Sequence, residues 1–432
     1  MSPSAKSWRR SAMAFEWPSV PLSEIAKLRS GFPFKSASWI DYGVPVIKIG
    51  NVKDGRIVKD GCGFVSEKVA ATVPEWITKD GDILIAMTGY VGEVAVVQAG
   101  ERYLINQRVG RFDFLNDSPV FPRFLFYYLR LPETRAYVED LARGSAQPNL
   151  SASDAARLMV PAPPIEEQHA IAETLGALDD RIDNLRQTNA TLEAIAAALF
   201  KSWFVDFDGV AEADMQESEL GLIPKGWWVA DLADCVDFKE GPGIRNWQYT
   251  NTDEGIRFIN IRCIQDGDLH LETANRITEE EANGKYAHFH LQPWDIVVST
   301  SGTLGRSAIV RAEHLPLVLN TSVIRFRPIE GKTAFSYLYQ YLNGSEFLEK
   351  LESMASGSVQ KNFGPMHLKQ IKIALPPIEM VRSYEDVARP IYEQIIGNRS
   401  QSRTLAQLRD TLLPKLLSGE LRVKETQGGN HD

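Results

Sequence analysis

The chain carries the same succession of landmarks twice, at a constant separation of 213 residues. Asp82 and Asp295 begin matching apolar segments, and Pro163-Pro164 and Pro376-Pro377 precede matching helical patterns. A repeat of this length describes whole domains rather than the short units of a solenoid. The chain has 432 residues, of which 44% are hydrophobic, so each copy can bury its own core. The sequence therefore predicts two related domains.

Each copy is predicted to mix sheet and helix. Alternating apolar residues indicate paired strands, and an aromatic-rich helix follows each pair. The strands are expected at 82–87, 94–97, 295–299 and 308–310, and the helices at 121–128 and 335–342. The Gly-x-x-Gly segments between the strands lack the Lys-Ser/Thr of a P-loop, which favours simple turns. The predicted fold class is mixed α/β (α+β).

Shorter patterns predict the beginning of each copy and the join between the copies. A short helix is expected at 20–28 and again at 228–236. Asp54-Gly55 and Asp266-Gly267 lie between apolar alternations and predict hairpin turns. Acidic residues are concentrated between 206 and 219, which predicts a solvated linker at 207–221.

A long helix is predicted after each Pro-Pro pair, because apolar residues recur at alternating steps of four and three. This is the pattern of a coiled-coil seam, with Asn189 as a polar member that would fix its register. The predicted seam residues are Ile171, Leu175, Leu178, Ile182, Leu185, Asn189, Leu192, Leu199, Ile391, Ile395, Leu405 and Leu412. We expect the two helices to pack on each other, with packing of each on its own domain as the alternative. If residues 167–204 are all helical, the rod is about 57 Å long.

Composition limits the possible classes of site. The net charge of −9 gives no global attraction to nucleic acid, although basic residues inside the domains allow a local basic face. The three cysteines are far apart and the histidines lack metal-ligand spacing, so no metal site is predicted. No apolar run approaches the length of a membrane span and the N-terminus lacks a signal-peptide core, so a cytoplasmic protein is expected.

Three runs near the first long helix resemble the central conserved region of the DNA-specificity subunit of type I restriction-modification systems. They are VPAPPIEEQ at 160–168, LDDRIDN at 178–184 and LFKSWFVDF at 199–207. Residues 412–421 resemble the distal conserved region of the same family. The Ser30-Gly31-x-Pro33, Thr88-Gly89-x-x-Gly92 and Gly144-Ser145-x-Gln147-x-Asn149 motifs extend the resemblance over nearly the whole chain. The second helix departs from the pattern, since 378–381 lacks the Glu-Glu-Gln of the first.

The resemblance implies two target-recognition domains related by a pseudo-twofold axis and separated by two antiparallel helices, each domain reading half of a bipartite double-stranded DNA site. The resemblance also implies domain boundaries, beginning with an extension at 1–12 that is disordered or precedes a start at Met13. Target-recognition domains are expected at 13–162 and 222–375, with a spacer helix at 163–206 and the linker at 207–221 between them. A second helix with the distal conserved region is expected at 376–423, and a tail at 424–432.

The family also implies partner proteins. Two methyltransferase subunits would dock on the helices, and motor-nuclease subunits would join for cleavage. This chain is expected to bind no cofactor, with S-adenosylmethionine and ATP held by partner subunits. It contains no methyltransferase, Walker A or nuclease motif, so we expect it to be non-catalytic. The docking candidates are Gln168, Phe200, Trp203, Phe204, Leu413 and Leu416.

Candidate DNA contacts follow from side-chain chemistry, because Arg and Lys can read guanine and Asn and Gln adenine. Most such residues are expected to contact phosphate or to make no DNA contact, and the recurring Gln147/Asn149 and Gln360/Asn362 pairs favour a shared structural or phosphate role. Specificity is expected within 34–80 and 244–293, where the copies differ most. The candidates are Lys35, Lys48, Asn51, Thr88, Tyr90, Gln107, Arg108, Gln147, Asn149, Arg245, Asn246, Asn260, Arg262, Ser301, Thr303, Arg306, Gln360, Lys361 and Asn362.

Two alternatives remain open from the sequence. A duplicated coiled-coil scaffold that binds only proteins would also account for the acidic charge and the helices. Steep salt dependence of DNA binding would separate it from a DNA reader. A modification-only or defence system could use the same specificity module without a nuclease partner, and only the neighbouring genes would distinguish it.

Overall fold

The computed structural model describes residues 17–142, 148–252, 254–302, 304–354 and 363–423. The chain divides into two compact units, a first unit of residues 1–183 and 402–432 and a second unit of residues 184–401. The extension and the tail expected at 1–12 and 424–432 lie outside the described residues.

Two 40-residue helices, Ile165–Phe204 and Ile378–Leu417, each contribute residues to both units. The first unit takes the beginning of one helix and the end of the other. It is therefore assembled from two separate stretches of chain, whereas the second unit is a single stretch.

The first unit contains eleven strands among its described residues. They are β1 (Ser19–Pro21), β2 (Ala26–Ser30), β3 (Val44–Ile47), β4 (Val52–Lys53), β5 (Arg56–Ile57), β6 (Gly63–Val65), β7 (Ile83–Ala86), β8 (Val94–Val96), β9 (Leu104–Ile105), β10 (Val109–Phe114) and β11 (Met159–Pro161). Its helices are α1 (Glu67–Ala70), α2 (Pro122–Leu129), α3 (Pro132–Leu141), α4 (Ala152–Ala155) and the first part of α5 (Ile165–Phe204). Short 3₁₀ helices lie at Leu22–Glu24, Ser36–Ser38, Ile49–Asn51 and Pro74–Trp76.

A four-stranded antiparallel sheet of order β2-β10-β7-β8 separates two cores in the first unit. Because side chains alternate across a strand, Ile83 and Ile85 face a core shared with α2 and the long helices. Leu84 and Ala86 face the other core, which includes Ile47 on the three-stranded sheet β6-β3-β9. In that smaller sheet β3 pairs parallel with β9 and antiparallel with β6.

The second unit repeats this succession of elements. Its strands are β12 (Met215–Ser218), β13 (Gly221–Pro224), β14 (Trp228–Asp231), β15 (Val236–Glu240), β16 (Ile256–Phe258), β17 (Ile264–Gln265), β18 (Asp268–Leu269), β19 (Asn275–Ile277), β20 (Ile296–Ser299), β21 (Ser307–Ile309), β22 (Leu317–Val318), β23 (Val323–Pro328) and β24 (Lys372–Leu375). Its helices are α6 (Leu232–Cys235), α7 (Glu279–Asn283), α8 (Phe335–Asn343), α9 (Ser345–Met354), α10 (Pro365–Leu368) and most of α11 (Ile378–Leu417), besides the end of α5. Its 3₁₀ helices lie at Glu212–Asp214, Asn246–Gln248, Ile261–Cys263, Leu271–Thr273, Ala287–Phe289 and Ala312–His314.

The two units have equivalent sheets, which confirms the predicted duplication and the mixed α/β class. The four-stranded sheet of the second unit has the order β15-β23-β20-β21, and the three-stranded sheet has the order β19-β16-β22 with β16 parallel to β22. The predicted central strands and aromatic-rich helices are confirmed within one or two residues. Residues 34–80 and 244–293 also form the same series of short elements, apart from an additional 3₁₀ helix at Leu271–Thr273, although their sequences differ.

The short helices predicted at 20–28 and 228–236 are wrong. Each segment is mostly strand with a single short helical turn, and each pairs with a strand far along the chain. Val20 pairs with Val160, and Val229 pairs with Ala374. Tertiary pairing therefore overrides the local helical spacing in both copies.

The predicted acidic linker is more ordered than expected. Strands β12 and β13 form an antiparallel hairpin across its end, and Ile223 is buried in the core of the second unit. By contrast, the predicted Asp-Gly turns are confirmed, because Asp54, Gly55, Asp266 and Gly267 all have the positive φ of a tight hairpin turn.

The long helices pack against each other within each unit. In the first unit Ile171 and Leu175 on α5 share a core with Leu413 and Leu416 on α11. In the second unit the tyrosine hydroxyl of Tyr384 donates to the Ala196 carbonyl oxygen at 3.3 Å. The predicted seam residues Ile171, Leu175, Ile182, Leu185, Asn189 and Ile395 are buried, and Leu178, Leu192, Leu199, Ile391, Leu405 and Leu412 are half-buried.

A buried amide pair lies in the helix contact of the second unit. The Asn398 side chain donates from Nδ2 to Asn189 Oδ1 at 2.8 Å, and Asn189 Nδ2 donates to the Ile395 carbonyl oxygen at 3.2 Å. The 213-residue repeat places Ser402 at the position equivalent to Asn189, but the residue that contacts Asn189 is Asn398. Because Asn189 meets 395–398 and Ala196 meets Tyr384, the two helix segments run antiparallel in this unit.

Candidate nucleic-acid interface

Four segments of the first unit converge at one end of its four-stranded sheet. The Gly31 N–H donates to Val109 O at 2.9 Å, and the Met87 N–H donates to Arg108 O at 2.9 Å. The Leu150 N–H in turn donates to Met87 O at 2.8 Å. These backbone bonds join the Ser30-Gly31 segment, the turn after β7, the turn before β10 and the segment around Asn149. We call this set of segments the loop edge of the first unit.

The second unit has an equivalent loop edge. The Gly241 N–H donates to Val323 O at 3.2 Å, the Thr300 N–H to Ser322 O at 2.9 Å, and the Phe363 N–H to Thr300 O at 3.2 Å. The duplicated positions therefore make duplicated bonds.

A glycine is required where the backbones approach most closely. A Cβ at Gly31 would lie 2.3 Å from the Ile105 carbonyl oxygen, and one at Gly241 would lie 2.1 Å from the Asn320 carbonyl oxygen. Neither distance is possible for a side chain without a shift of the backbone. This explains why both copies place glycine at the start of the loop edge.

Several predicted DNA contacts lie together on the first loop edge. Tyr90, Gln107, Arg108 and Asn149 are exposed there and Thr88 is half-buried. Arg108 Nη1 donates to Asn149 Oδ1 at 3.1 Å, and Thr88 pairs with Asn149 as an isolated antiparallel bridge. The group combines a guanidinium, two amides, a hydroxyl and an exposed aromatic ring, which are the groups that proteins use on phosphates and base edges.

The predicted residues on the second loop edge lie in equivalent segments but have different side chains. Arg245, Asn246 and Arg306 are exposed, and Ser301 is half-buried. Lys35 is exposed in the corresponding part of the first unit, just after its Gly-x-Pro segment. The candidates Gln147, Thr303, Gln360, Lys361 and Asn362 lie outside the described residues.

Asn51 is not positioned to read DNA. Its side chain is only 3% exposed, its Oδ1 accepts from the Lys48 N–H, and its Nδ2 donates to the carbonyl oxygens of Val58 and Asp60. All of its hydrogen-bonding capacity toward a base is therefore used inside the chain. Asn260 is half-buried and its Oδ1 accepts from the Arg262 N–H at 2.9 Å, so Asn260 remains a predicted DNA contact with one side-chain atom already engaged.

The remaining basic candidates lie outside the loop edges. Lys48 Nζ is 4.9 Å from the centroid of the Trp39 ring, where a cation–π contact holds it. Arg262 is exposed in the 3₁₀ helix after β16. Lys48 and Arg262 therefore remain predicted DNA contacts, but neither lies on a loop edge.

Sequence reasoning missed one prominent residue of the second unit. Trp247 is 79% exposed and lies between the predicted Asn246 and the buried Gln248, whose side chain donates to Glu281 and Tyr286. An aromatic residue flanked by polar residues soon after Gly241-Pro242-Gly243 is a signal that could have identified it. An exposed indole on a rigid support can stack on bases.

Most predicted docking residues of the long helices are buried inside their own unit, so the proposed docking set is wrong at these positions. Gln168 is fully buried and bonds the Phe121 N–H and the carbonyl oxygens of Pro119 and Pro163. Leu413 and Leu416 belong to the core of the first unit, and Phe204 to that of the second. Phe200 and Trp203 are half-buried and pack against Tyr384.

Charged networks attach the domains to the helices. In the first unit the Asp179 carboxylate on α5 accepts from the Tyr127 hydroxyl at 2.9 Å and from Arg130 and Arg409 at 2.7 Å. Burial raises the pKa of Asp179, but the two guanidiniums and their hydrogen bonds outweigh it, so its pKa lies below the usual value.

In the second unit, Arg399 on α11 donates from Nη1 to the Gly267 carbonyl oxygen at 2.6 Å. The tip of the Asp-Gly hairpin is thereby held on the helix.

The described residues offer no obvious reactive centre. No group of three His, Cys, Asp or Glu side chains within them could hold a metal ion. Burial raises the pKa of Cys235 to about 12, so this thiol stays protonated at neutral pH. None of the helices in the described part of the chain combines the length and hydropathy needed to cross a bilayer.

The fold and its two equivalent loop edges define a duplicated α/β protein whose units present different polar side chains on one scaffold. Residues 15–194 and 224–382 match the type I restriction modification DNA specificity domain. The chain belongs to this family.

Its similarity to individual relatives extends over most of the chain. The type I restriction enzyme MjaIX specificity subunit of Methanocaldococcus jannaschii is 28% identical over 366 residues, which cover 84% of this chain and 82% of that protein. The EcoBI specificity subunit of Escherichia coli is 25% identical over 439 residues, which cover 94% and 87%. The crystal structure of a type I restriction-modification S subunit from M. genitalium covers 93% of this chain and 96% of that chain, with a TM-score of 0.56 and 18% identity, and so has the same fold.

Proposed function

We propose that this chain is the sequence-recognition subunit of a type I restriction-modification complex, and that each unit reads one half of a bipartite DNA target. The observation that carries the proposal is the pair of loop edges, which use equivalent backbone bonds to present unlike side chains. Tyr90, Gln107 and Arg108 occupy the first edge, whereas Asn246, Trp247 and Arg306 lie on or beside the second. One scaffold with two surfaces suits two unrelated half-sites. Family membership does not favour the protein-only scaffold.

The long helices are proposed to set the gap between the half-sites and to bind partner subunits. Two methyltransferase subunits would dock on them and hold S-adenosylmethionine, and motor-nuclease subunits would bring ATP hydrolysis and cleavage. Since four of the predicted docking residues are buried, the exposed apolar helix residues Ile195, Val387 and Leu408 are better candidates. The chain alone is proposed to be non-catalytic, so purified protein should neither methylate nor cut DNA.

Mapping methylated adenines tests this proposal directly. The chain is expressed with its neighbouring methyltransferase gene in a host that lacks adenine methylation, beside a control that lacks the chain. A split motif with a fixed gap, present only with the chain, is expected. Absence of any motif despite soluble co-purifying partners would contradict the proposed function.

Salt dependence separates the DNA reader from a scaffold. Each phosphate that the assembled complex neutralises releases counterions, so its DNA affinity should fall by orders of magnitude between about 50 and 200 mM salt. A scaffold that binds only proteins would show no such steep dependence.

A further inference from the structure

The second unit contains a cavity of about 260 Å³ beside its four-stranded sheet. Strands β15 and β23 supply one wall, through Asp237, Lys239, Arg325 and Arg327, and residues 287–292 with Leu319 supply the rest. The register of the sheet accounts for this grouping, because Lys239 pairs with Arg325 and Asp237 with Arg327. The four charged side chains therefore share one face of two neighbouring strands.

The cavity has an excess of positive charge. Lys239, Arg325 and Arg327 face it with a single carboxylate, Asp237, among the lining residues. The charge of Arg327 is neutralised by Asp295, which does not line the cavity. Arg327 Nε and Nη2 donate to the Asp295 carboxylate at 2.6 and 2.8 Å. One cation remains unbalanced after both carboxylates are counted. His288 and His290 also line the cavity, with His290 Nε2 bonded to the Ala282 carbonyl oxygen at 3.1 Å.

Arg325 carries a polar atom that the protein does not satisfy. Its side chain is 7% exposed, and its Nη2 donates to Asp237 Oδ2 at 2.7 Å. Its Nε is buried and has no hydrogen-bond partner in the described part of the chain. A buried donor left unpaired destabilises the folded protein, because it gives up its hydrogen bonds to water without replacement. Because Asp237 takes only the Nη2 donor, an oxyanion in the cavity would give this guanidinium a further acceptor.

The first unit shows that this arrangement is not a requirement of the fold. Arg111 occupies the position of Arg325 on the equivalent strand, but its Nε donates to Asp113 at 2.9 Å, its Nη1 to the Ile77 carbonyl oxygen at 3.2 Å and its Nη2 to the Glu75 carbonyl oxygen at 3.1 Å. Residues 75–77 thus satisfy the guanidinium of the first unit. In the second unit the matching carbonyl of His288 accepts from Lys239 instead, at 3.3 Å.

We propose that this cavity of the second unit binds a phosphate group, with Arg325 and Lys239 as its principal ligands. A phosphate offers several acceptor oxygens and a charge that the excess cation balances, and arginine forms strong charge-assisted bonds to it. The group belongs either to the DNA backbone or to a free phosphate ester. The site does not depend on whether the unit reads DNA sequence.

Thermal unfolding of the full chain with increasing inorganic phosphate, at constant ionic strength, tests the site. Phosphate stabilises proteins generally by exclusion from their surface, so the comparison between variants carries the test. Saturable stabilisation is expected in the wild type. Arg325→Gln and the less buried Lys239→Gln should each weaken phosphate affinity by about tenfold, the effect of losing one charge-assisted hydrogen bond. Arg29→Gln is the matched control, because Arg29 pairs with Arg111 as Lys239 pairs with Arg325.

Equal responses to phosphate in the wild type, Lys239→Gln and Arg29→Gln would overturn the proposal, even if Arg325→Gln failed to fold. The source of the phosphate follows from a second titration in the presence of duplex DNA. Displacement of inorganic phosphate by DNA would assign the site to the DNA backbone, and unchanged binding would assign it to a free phosphate ester. Methylation mapping of Lys239→Gln keeps the two questions apart, because an intact split motif supports the proposed function whatever the phosphate result.

Discussion

Two residues of the first unit have side chains that can hydrogen-bond a base edge, but they are placed in different environments. Asn51 and Arg108 both belong to types that read base edges. The amide of Asn51 is consumed by backbone groups of Lys48, Val58 and Asp60, whereas Arg108 is exposed on the loop edge with only Asn149 as its side-chain partner. The same chemistry is structural in one case and available to a ligand in the other.

Replacing Arg108 should weaken DNA binding by the assembled complex. Arg108→Ala removes a guanidinium that can contact phosphate or guanine, and we expect a loss of about tenfold in affinity, measured by fluorescence anisotropy. A phosphate contact predicts a uniform loss and a shallower salt dependence, whereas a base contact predicts a change in one half of the methylated motif. Arg102→Ala is the control, since Arg102 is exposed in the same unit but pairs with Glu67 away from the loop edge. Equal losses in both variants would contradict the assignment of the edge.

Replacing Asp179 should destabilise the first unit in a pH-dependent manner. Asp179→Asn takes the carboxylate partner from the half-buried Arg130 and leaves Arg409 with Asp410 alone, and we expect a loss of about 3 kcal/mol in the free energy of unfolding at pH 7. The folded-state pKa of Asp179 is depressed, so its contribution is present above the unfolded value of about 4 and is lost as pH falls through the folded value.

Urea unfolding at pH 7 and pH 3 measures this effect. The difference between the wild type and Asp179→Asn should shrink at the lower pH. Asp180→Asn is the matched control, because the Asp180 carboxylate is 58% exposed and forms a surface ion pair with Arg123. A constant difference across pH would show that Asp179 does not act through its charge.

The chemistry of the candidate residues could be predicted from the sequence better than their availability. Arg108, Gln107 and Tyr90 were identified from residue type and lie on one edge. No sequence pattern shows that backbone groups three to nine residues away satisfy the Asn51 amide, or that the backbone of Pro119 and Phe121 satisfies Gln168. Trp247 is the opposite case, because it was not predicted although it is exposed. Its exposure depends on Gln248 being held by Glu281 and Tyr286. Satisfaction and exposure are tertiary properties.

At the scale of elements, the Asn189–Asn398 pair is expected to fix the register of the long helices within the second unit. Asn189→Leu leaves Asn398 without its acceptor in a buried contact, and we expect a loss of about 2 kcal/mol. The double variant Asn189→Leu, Asn398→Leu should recover most of this stability, because an apolar seam needs no partner bonds. Its methylated motif should show more than one gap length, since the polar restraint on register is gone.

Chemical unfolding and methylation mapping of the same variants test both parts of this expectation. Asn184→Leu is a suitable control, because Asn184 is exposed on the same helix. A single gap length in the double variant would mean that apolar packing alone sets the register. Additive destabilisation by the two substitutions would mean that the amides do not act as a pair.

Elements with strong periodicity were predicted well, and those defined by long-range pairing were not. Some apolar patterns fit only one type of secondary structure. This is the case for the strands near 83–86 and 296–299 and for both long helices. Residues 20–28 carry a spacing compatible with a short helix, but Val20 finds its partner in Val160, which no local pattern reveals. The same holds for Val229 and Ala374 in the other copy.

At the scale of the whole molecule, the gap in the DNA target should follow the length of the helices. Duplicating residues 184–190 together with 397–403 adds one heptad to each helix, or about 10 Å at the usual rise per residue. We expect methylation mapping to show the same two half-sites with a longer gap. Duplicating 184–190 alone mismatches the helices and should abolish methylation. An unchanged gap in the double insertion would contradict the proposed role of the helices.

The first unit consists of two separate stretches of chain, so during synthesis it cannot complete its core until the second stretch has been made. Residues 184–401 emerge as one stretch and hold nearly everything that their unit needs. The first unit must wait for Leu413, Leu416 and Leu417, which are synthesised after the whole second unit and fill its core beside Ile171 and Leu175. A chain that stops at residue 401 would therefore damage the end of the protein that was translated earliest.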